Sequence, residues 1–320
     1  MSDAPAPSRH AYGGQAVMEG VMMRGRDVWA LAVRRPDETI HLESHRIRSI
    51  AERYRILRQP GFRGAIALGQ AISIGIRALS ISATQASPEE VQLSSRQMAL
   101  SMIVAFGLFL GVFVVAPAIA FRWVGEHLGS SVLVNVLEGI FRVALFLGYL
   151  ALIGRTKDIK RVFEYHGAEH KTIAAYEHDE PLVPEVVDRY STLHVRCGTN
   201  FLLIVMILTI LIFALFGNPG IWWRIGSRVI AIPVIAGLAY ELLRLGARYE
   251  GSPFMRALMT PGLWLQKITT QPPDRSQIQV AIASFNEVLR REAAPGADPS
   301  DGAGGRPAPP DMDTSPQVTP

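Results

Sequence analysis

The run MALSMIVAFGLFLGVFVVAPAIAF, residues 98–121, decides what kind of chain this is. Its 24 residues include no charged side chain. As a helix rising 1.5 Å per residue it outreaches the roughly 30 Å hydrocarbon core of a bilayer. The rest of the composition agrees: of 320 residues, 49% are hydrophobic and only 19% charged. The fold class expected is therefore mainly α, a polytopic helical membrane protein with about four transmembrane helices.

Three more apolar runs supply the other expected spans, at residues 132–154, 201–216 and 229–243. The second run holds Glu138 and Arg142, four apart, a spacing at which two charges pair along a helix. Pro233 is positioned to kink the last run. Trp222 and Trp223 stand where an interfacial aromatic belt belongs. Residues 64–83 are apolar but interrupted by Gln70 and Arg77, which reads as an interfacial or partly buried helix.

The basic residues orient this array. Lys plus Arg number 13 in residues 1–97, 7 in 155–200 and 8 in 244–320, against 1 and 2 in the two other loops. Cationic loops stay on the cytoplasmic side. Both termini and the central loop are then expected in the cytoplasm, in the bacterial inner membrane. No short apolar leader opens the chain. One cysteine excludes an internal disulfide.

Five segments are expected. Residues 1–10 are disordered. Residues 11–63 form a small N-terminal cytoplasmic β-hairpin region and a basic helix. Residues 64–96 carry the interfacial helix, and residues 97–292 the spans and the candidate site. Residues 293–320, rich in Pro, Gly and Asp, are a disordered tail.

In the second segment, Trp29, Leu31 and Val33 alternate, as do Ile40 and Leu42, around the turn signal Pro36-Asp37-Glu38. His41 and His45 fall on one strand face about 13 Å apart, too far for one metal, and read as surface residues. The helix at 47–57 carries Arg48, Arg53 and Arg55, with Arg58 just past its end, a set suited to anionic lipid headgroups. No nucleic-acid-binding fold is evident, so the lipid bilayer is the expected partner. Residues 278–291 form an amphipathic helix too polar on one side to span.

The central loop carries the chemistry. His166-Gly167-Ala168-Glu169-His170 sits on an expected helix over 163–176. Positions three and four apart are helix neighbours, so both imidazoles share a face with Glu169 beside them. Two such imidazoles suit a zinc tetrahedron, and the carboxylate suits a general base moving a proton of bound water. HxxEH is the pattern of inverted zinc peptidases, which need a third protein ligand. A second cluster, His194-Val195-Arg196-Cys197, precedes an apolar run. Cys197, near a helix N-terminus and beside Arg196, is expected to be more acidic than a free thiol. His194 or Cys197 would complete the set, with Glu241 and Glu250 as outside candidates. A solvated helix face with ordinary histidines is the competing reading.

Four segments, GGQAVMEGVMMRG (13–25), HGAEHK (166–171), RCGTNF (196–201) and PGLWLQKITT (261–270), occur in an order that resembles the YqhQ-like family of bacterial membrane proteins. The resemblance covers residues 11–291. That family is a domain of unknown function whose members are described as predicted metal-dependent enzymes. The family tends to read HPRCGT where this chain reads HVRCGT, so Val195 departs while His194, Arg196, Cys197 and Gly198 match. The resemblance implies a metal-dependent enzyme, and hydrolysis is the natural chemistry of a His/Glu/Cys set of this kind. The alternative is a non-catalytic membrane scaffold or assembly factor, with a structural metal or none. A small transporter with Glu138 and Arg142 on its path is a third reading, poorly served by four spans without a repeat.

Overall fold

A computed structural model describes residues 12–47, 59, 62–88, 94–128, 130–195, 197–215, 221–249 and 252–293. The expected basic helix with Arg48, Arg53, Arg55 and Arg58, both expected disordered ends, Arg196 and Glu250 lie outside the described residues.

The N-terminal hairpin is half of a larger element. Strands β1 (Gly13–Val17), β2 (Gly20–Arg24), β3 (Val28–Arg34) and β4 (Ile40–Arg46) form one antiparallel meander in chain order. The alternation read on β3 is real, but both of its faces are buried. Trp29, Leu31 and Val33 pack with Ala78 of helix α1 (Phe62–Gln85). Ala30 and Ala32, with Val21 and Met23 of β2, pack on Phe285 and Ile278 of the last helix, α10 (Arg275–Ala293). Tyr165 and Ala168 of helix α5 (Lys157–Glu177) join that second core. Ser284 sits at its centre. It accepts from the Met23 amide at 3.2 Å and donates to the Ala30 carbonyl at 3.0 Å.

His41 and His45, expected to be surface residues, are instead partly buried and linked through one carboxylate. Glu43, two residues from each on the same strand face, lies between them. His41 Nε2 is 3.2 Å and His45 Nε2 2.9 Å from its carboxylate. Arg35 contacts His41 from one end and Arg77 contacts His45 from the other.

The apolar run 98–121 is a nearly continuous rod: α2 (Ser95–Leu110), a π turn (Gly111–Val115) and α3 (Ala116–Leu128). Ser94 and Gln97 close a capping box at its start. The π turn comes just before Pro117, whose ring and missing N–H disturb the carbonyls one turn earlier. The following helix, α4 (Ser131–Ile153), carries the Glu138–Arg142 pair, which is made as expected. Arg142 also donates to the Val114 carbonyl in the π turn at 3.2 Å.

Among the described residues, three helices are long and apolar enough to cross a membrane: Arg63–Gln85, Arg96–Gly125 and Ser131–Ile153. This differs from the four expected runs. Helix α1, expected to be interfacial, has the length and apolarity of a span while its Ala78 packs on the sheet. The expected run 201–216 is α7 (Gly198–Ala214), apolar but only 17 residues long. The run 229–243 is the middle of a 28-residue helix, α8 (Ile221–Arg248), with Pro233 inside it. Glu241 of α8 pairs with Arg63 of α1, Oε1 lying 2.6 Å from the guanidinium. Nearby, a Cβ on Gly64 would stand 2.8 Å from Gly237 Cα, so the two helices cross backbone to backbone. Helix α9 (Pro253–Thr269) and the short α6 (Pro184–Val187) complete the chain.

Candidate metal centre

The site begins with a reversal. Helix α4 ends at Ile153, and Gly154 packs so closely on the Phe163 ring that a Cβ there would be 2.9 Å from it. Helix α5 therefore doubles back on the end of α4 instead of continuing straight, which would have carried His166 about 18 Å beyond Gly154. Its polar face then reaches a cleft of about 370 Å³ lined by Phe146 and Leu150 of α4.

Within that cleft, ligand atoms of His166, His170 and Cys197 all lie within 4.8 Å of one another. The two rings are one helical turn apart, with centroids separated by 4.4 Å. His166 Nε2 is 3.2 Å from Cys197 Sγ. The opposite nitrogens are occupied by backbone: Nδ1 of His166 faces the Thr269 carbonyl at 2.8 Å, and Nδ1 of His170 the Thr192 carbonyl at 2.5 Å. A carbonyl only accepts, so each Nδ1 donates and each Nε2 presents a lone pair. Metal-binding histidines are oriented in this way. His170 Nε2 is buried and has no hydrogen-bond partner among the described residues.

Three structural devices hold these groups. At Gly167 a Cβ would stand 2.1 Å from the Gln271 carbonyl, so only glycine lets the strand after α9 cross α5. That strand donates Gln271 N–H to the Phe163 carbonyl and brings Thr269 to His166. Cys197 is the N-cap of α7, accepting from the Thr199 amide. The preceding loop is pinned by buried Gln266 of α9, which bonds the His194 amide and carbonyl and Asn200 Oδ1. Asn200 in turn donates to the Val195 carbonyl at 2.7 Å, which fixes the turn at the position where the family proline is missing.

His194 lines the cleft, but its Nε2 lies 3.2 Å from Glu177 and outside the three-ligand group. Glu241 is held by Arg63. The pair completed by Cys197 is thus the set that comes together.

Glu169 is buried against β1. A Cβ on Gly14 would be 2.9 Å from its carboxyl, and the Gly14 amide donates to it. Its Oε2 has no partner among the described residues. Burial is the main force on it and raises its pKa to about 8; Cys197 adds to the rise, while His166 and Gly14 oppose it. Burial first, then His166, holds His170 well below the usual histidine range, hence neutral, which is the ligand form. Cys197 departs from expectation. Burial raises its pKa, and the hydrogen bonds from Thr199 and the Asn200 amide only partly offset this. A thiol of this kind is a poor free nucleophile; a cation bound to it would drive off its proton.

The sequence does not mark Gly14, Thr192 or Thr269 as site residues. The last two act through backbone carbonyls, which leave no side-chain signal.

Residues 59–291 match a family described as "Protein of unknown function (DUF1385)". The chain is 35% identical over 297 residues to "Uncharacterized protein YqhQ" of Bacillus subtilis (strain 168), covering 88% of this chain and 93% of that protein. No solved structure matches. The four sequence segments that carry the resemblance all meet at or beside the cleft, and the chain belongs to the YqhQ-like, DUF1385 family.

Proposed function

We propose that this protein is a multi-pass inner-membrane, metal-dependent, hydrolase-like enzyme, with both termini and the cleft in the cytoplasm. The observation that carries the reading is the group His166, His170 and Cys197, whose buried His170 Nε2 has no partner among the described residues. Two neutral imidazoles and a thiolate are a zinc-type donor set with one position left open. A divalent ion held there supplies Lewis acidity and a water acidic enough to ionise near neutral pH.

The chain's own residues divide the remaining work. Thr269 and Thr192 fix both imidazoles with Nε2 forward. Gly14 steadies the Glu169 carboxyl, leaving Oε2 to hold or move a proton in the cleft. A cleft that reaches the group favours an enzyme over a closed structural site.

Elemental analysis of detergent-purified protein tests this. One divalent metal per chain is expected, most of it lost in His170→Ala. Cobalt(II) substitution should give a thiolate charge-transfer band that Cys197→Ser abolishes. Folded, metal-free protein that takes up no zinc or cobalt would overturn the reading.

A further inference from the structure

A second cavity, of about 280 Å³, lies between α2 with its π turn, α4 and α7. It is walled mainly by apolar side chains, among them Phe109, Phe113, Val143, Met206 and Ile210. The polar groups on its wall are engaged in the protein: Glu138 with Arg142, Arg142 with the Val114 carbonyl, and Asn135 with the Phe213 carbonyl. Along α4 the cavity runs from Asn135 to Phe146, about 16 Å of helix. Phe146 and Leu202 line both this cavity and the metal cleft. The two spaces are therefore neighbours, with the Phe146 and Leu202 side chains at their boundary.

The surroundings narrow the choice of occupant. The most apolar 18-residue stretches of helix α4 and of the α2–α3 rod have mean hydropathies of 2.0 and 2.6. Phe109 and Leu202, on the cavity wall, are 44% and 40% exposed, so the groove is not sealed from whatever surrounds these helices. In a bilayer that is acyl chains. A molecule filling both spaces must be apolar over the length of the groove and polar at the His166–Cys197 end. At that end the cleft wall includes Gly198 and Thr199, the first turn of α7, whose dipole favours negative charge.

We propose that the groove takes the hydrocarbon chain of an anionic membrane lipid, and that this lipid is the substrate class, its headgroup lying in the metal cleft. This rests on the reading of the cleft as a metal-dependent site, and it specifies what that site acts on.

The test uses full-length protein in vesicles containing a phosphatidylglycerol with a diazirine in its acyl chain. Labelled residues are mapped by mass spectrometry, and metal is measured on the same samples. The expected result is labelling concentrated on Phe109, Phe146 and Met206 above that of Ile103, which is 68% exposed on α2. Met206→Trp, and separately the milder Val143→Phe, should lower groove labelling several-fold with metal content and Ile103 labelling unchanged. Equal labelling of groove and Ile103, insensitive to both substitutions, overturns the proposal. So does a groove found cross-linked to another copy of the chain. Metal present without groove labelling leaves the metal reading intact and removes the lipid; groove labelling in protein that takes up no metal removes the metal reading instead.

Discussion

His166 Nε2 and Cys197 Sγ stand 3.2 Å apart across 31 residues of chain. That contact separates two roles for Glu169, which lies beside His166 in the same cleft. Glu169→Gln keeps the shape and removes the ionisable proton. Metal content should stay near that of the native protein, while any hydrolytic turnover of a lipid ester falls by about 100-fold or more. Metal analysis and turnover on one preparation decide it. A variant that loses its metal would make Glu169 a ligand rather than a base.

Glu138 and Arg142 should behave as one unit. They pair on α4, with the Glu138 side chain 4% and the Arg142 side chain 21% exposed. Replacing either by Ala leaves an uncompensated charge and is expected to cost about 3 kcal/mol. The double substitution should cost less than the two singles summed. Unfolding of all four proteins in mixed detergent measures the coupling, and strict additivity would rule out the pair.

Gly167→Ala tests the crossing behind the histidines. The added Cβ meets a backbone carbonyl that has no rotamer to yield, so the Gln271 strand must move and carry Thr269 with it. Loss of the His166–Thr269 contact should weaken metal binding about 10-fold or more. Zinc competition with a chelator reads this directly. Unchanged affinity would mean that His166 is oriented by something else.

Acid stability should depend on Glu43. Hydrogen bonds from His41 and then His45 hold its pKa at about 2, below its ordinary 4.5. A carboxyl lowered on folding stabilises the protein fully above its unfolded value and loses that contribution as pH falls through the folded one. The stabilisation is expected to be about 2 kcal/mol, allowing for partial exposure. Glu43→Gln should therefore flatten the decline in melting temperature between about pH 5 and about pH 2. An equally steep decline in the variant would place the acid lability elsewhere.

Topology is checked by reporter fusions. Glu180 and both termini should report the cytoplasm, Glu126 and Pro219 the outside. A periplasmic signal at Glu180 would move the metal cleft to the other compartment.

The sequence carries the parts of this site that act locally. HxxEH places His166 and His170 one turn apart because helix geometry does so wherever the helix lies. The alternation of Trp29, Leu31 and Val33 similarly names a strand face before anything covers it. What escapes is set by distant contacts. Nothing near Gly154 announces that α5 folds back and lays the ring of Phe163 against it. The acidity expected of Cys197 follows from a helix end beside an arginine, and burial of the thiol outweighs it. Glu241 reads as a spare ligand until Arg63, 178 residues earlier, is found against it. Gly14 has no side chain to mark it, yet a Cβ there would meet the Glu169 carboxyl.

The hydrogen bond from Met23 to Ser284 spans 261 residues, and it imposes an order on synthesis. Val21, Met23, Ala30 and Ala32 emerge from the ribosome early, while the helix that shields them is among the last segments translated. At about 5–20 residues per second, the interval is roughly 13–50 s. Throughout it, a sticky sheet face waits for the helix that will cover it. A ribosome that stalls before residue 275 would release a product permanently adhesive on one side, a natural client for cellular quality control.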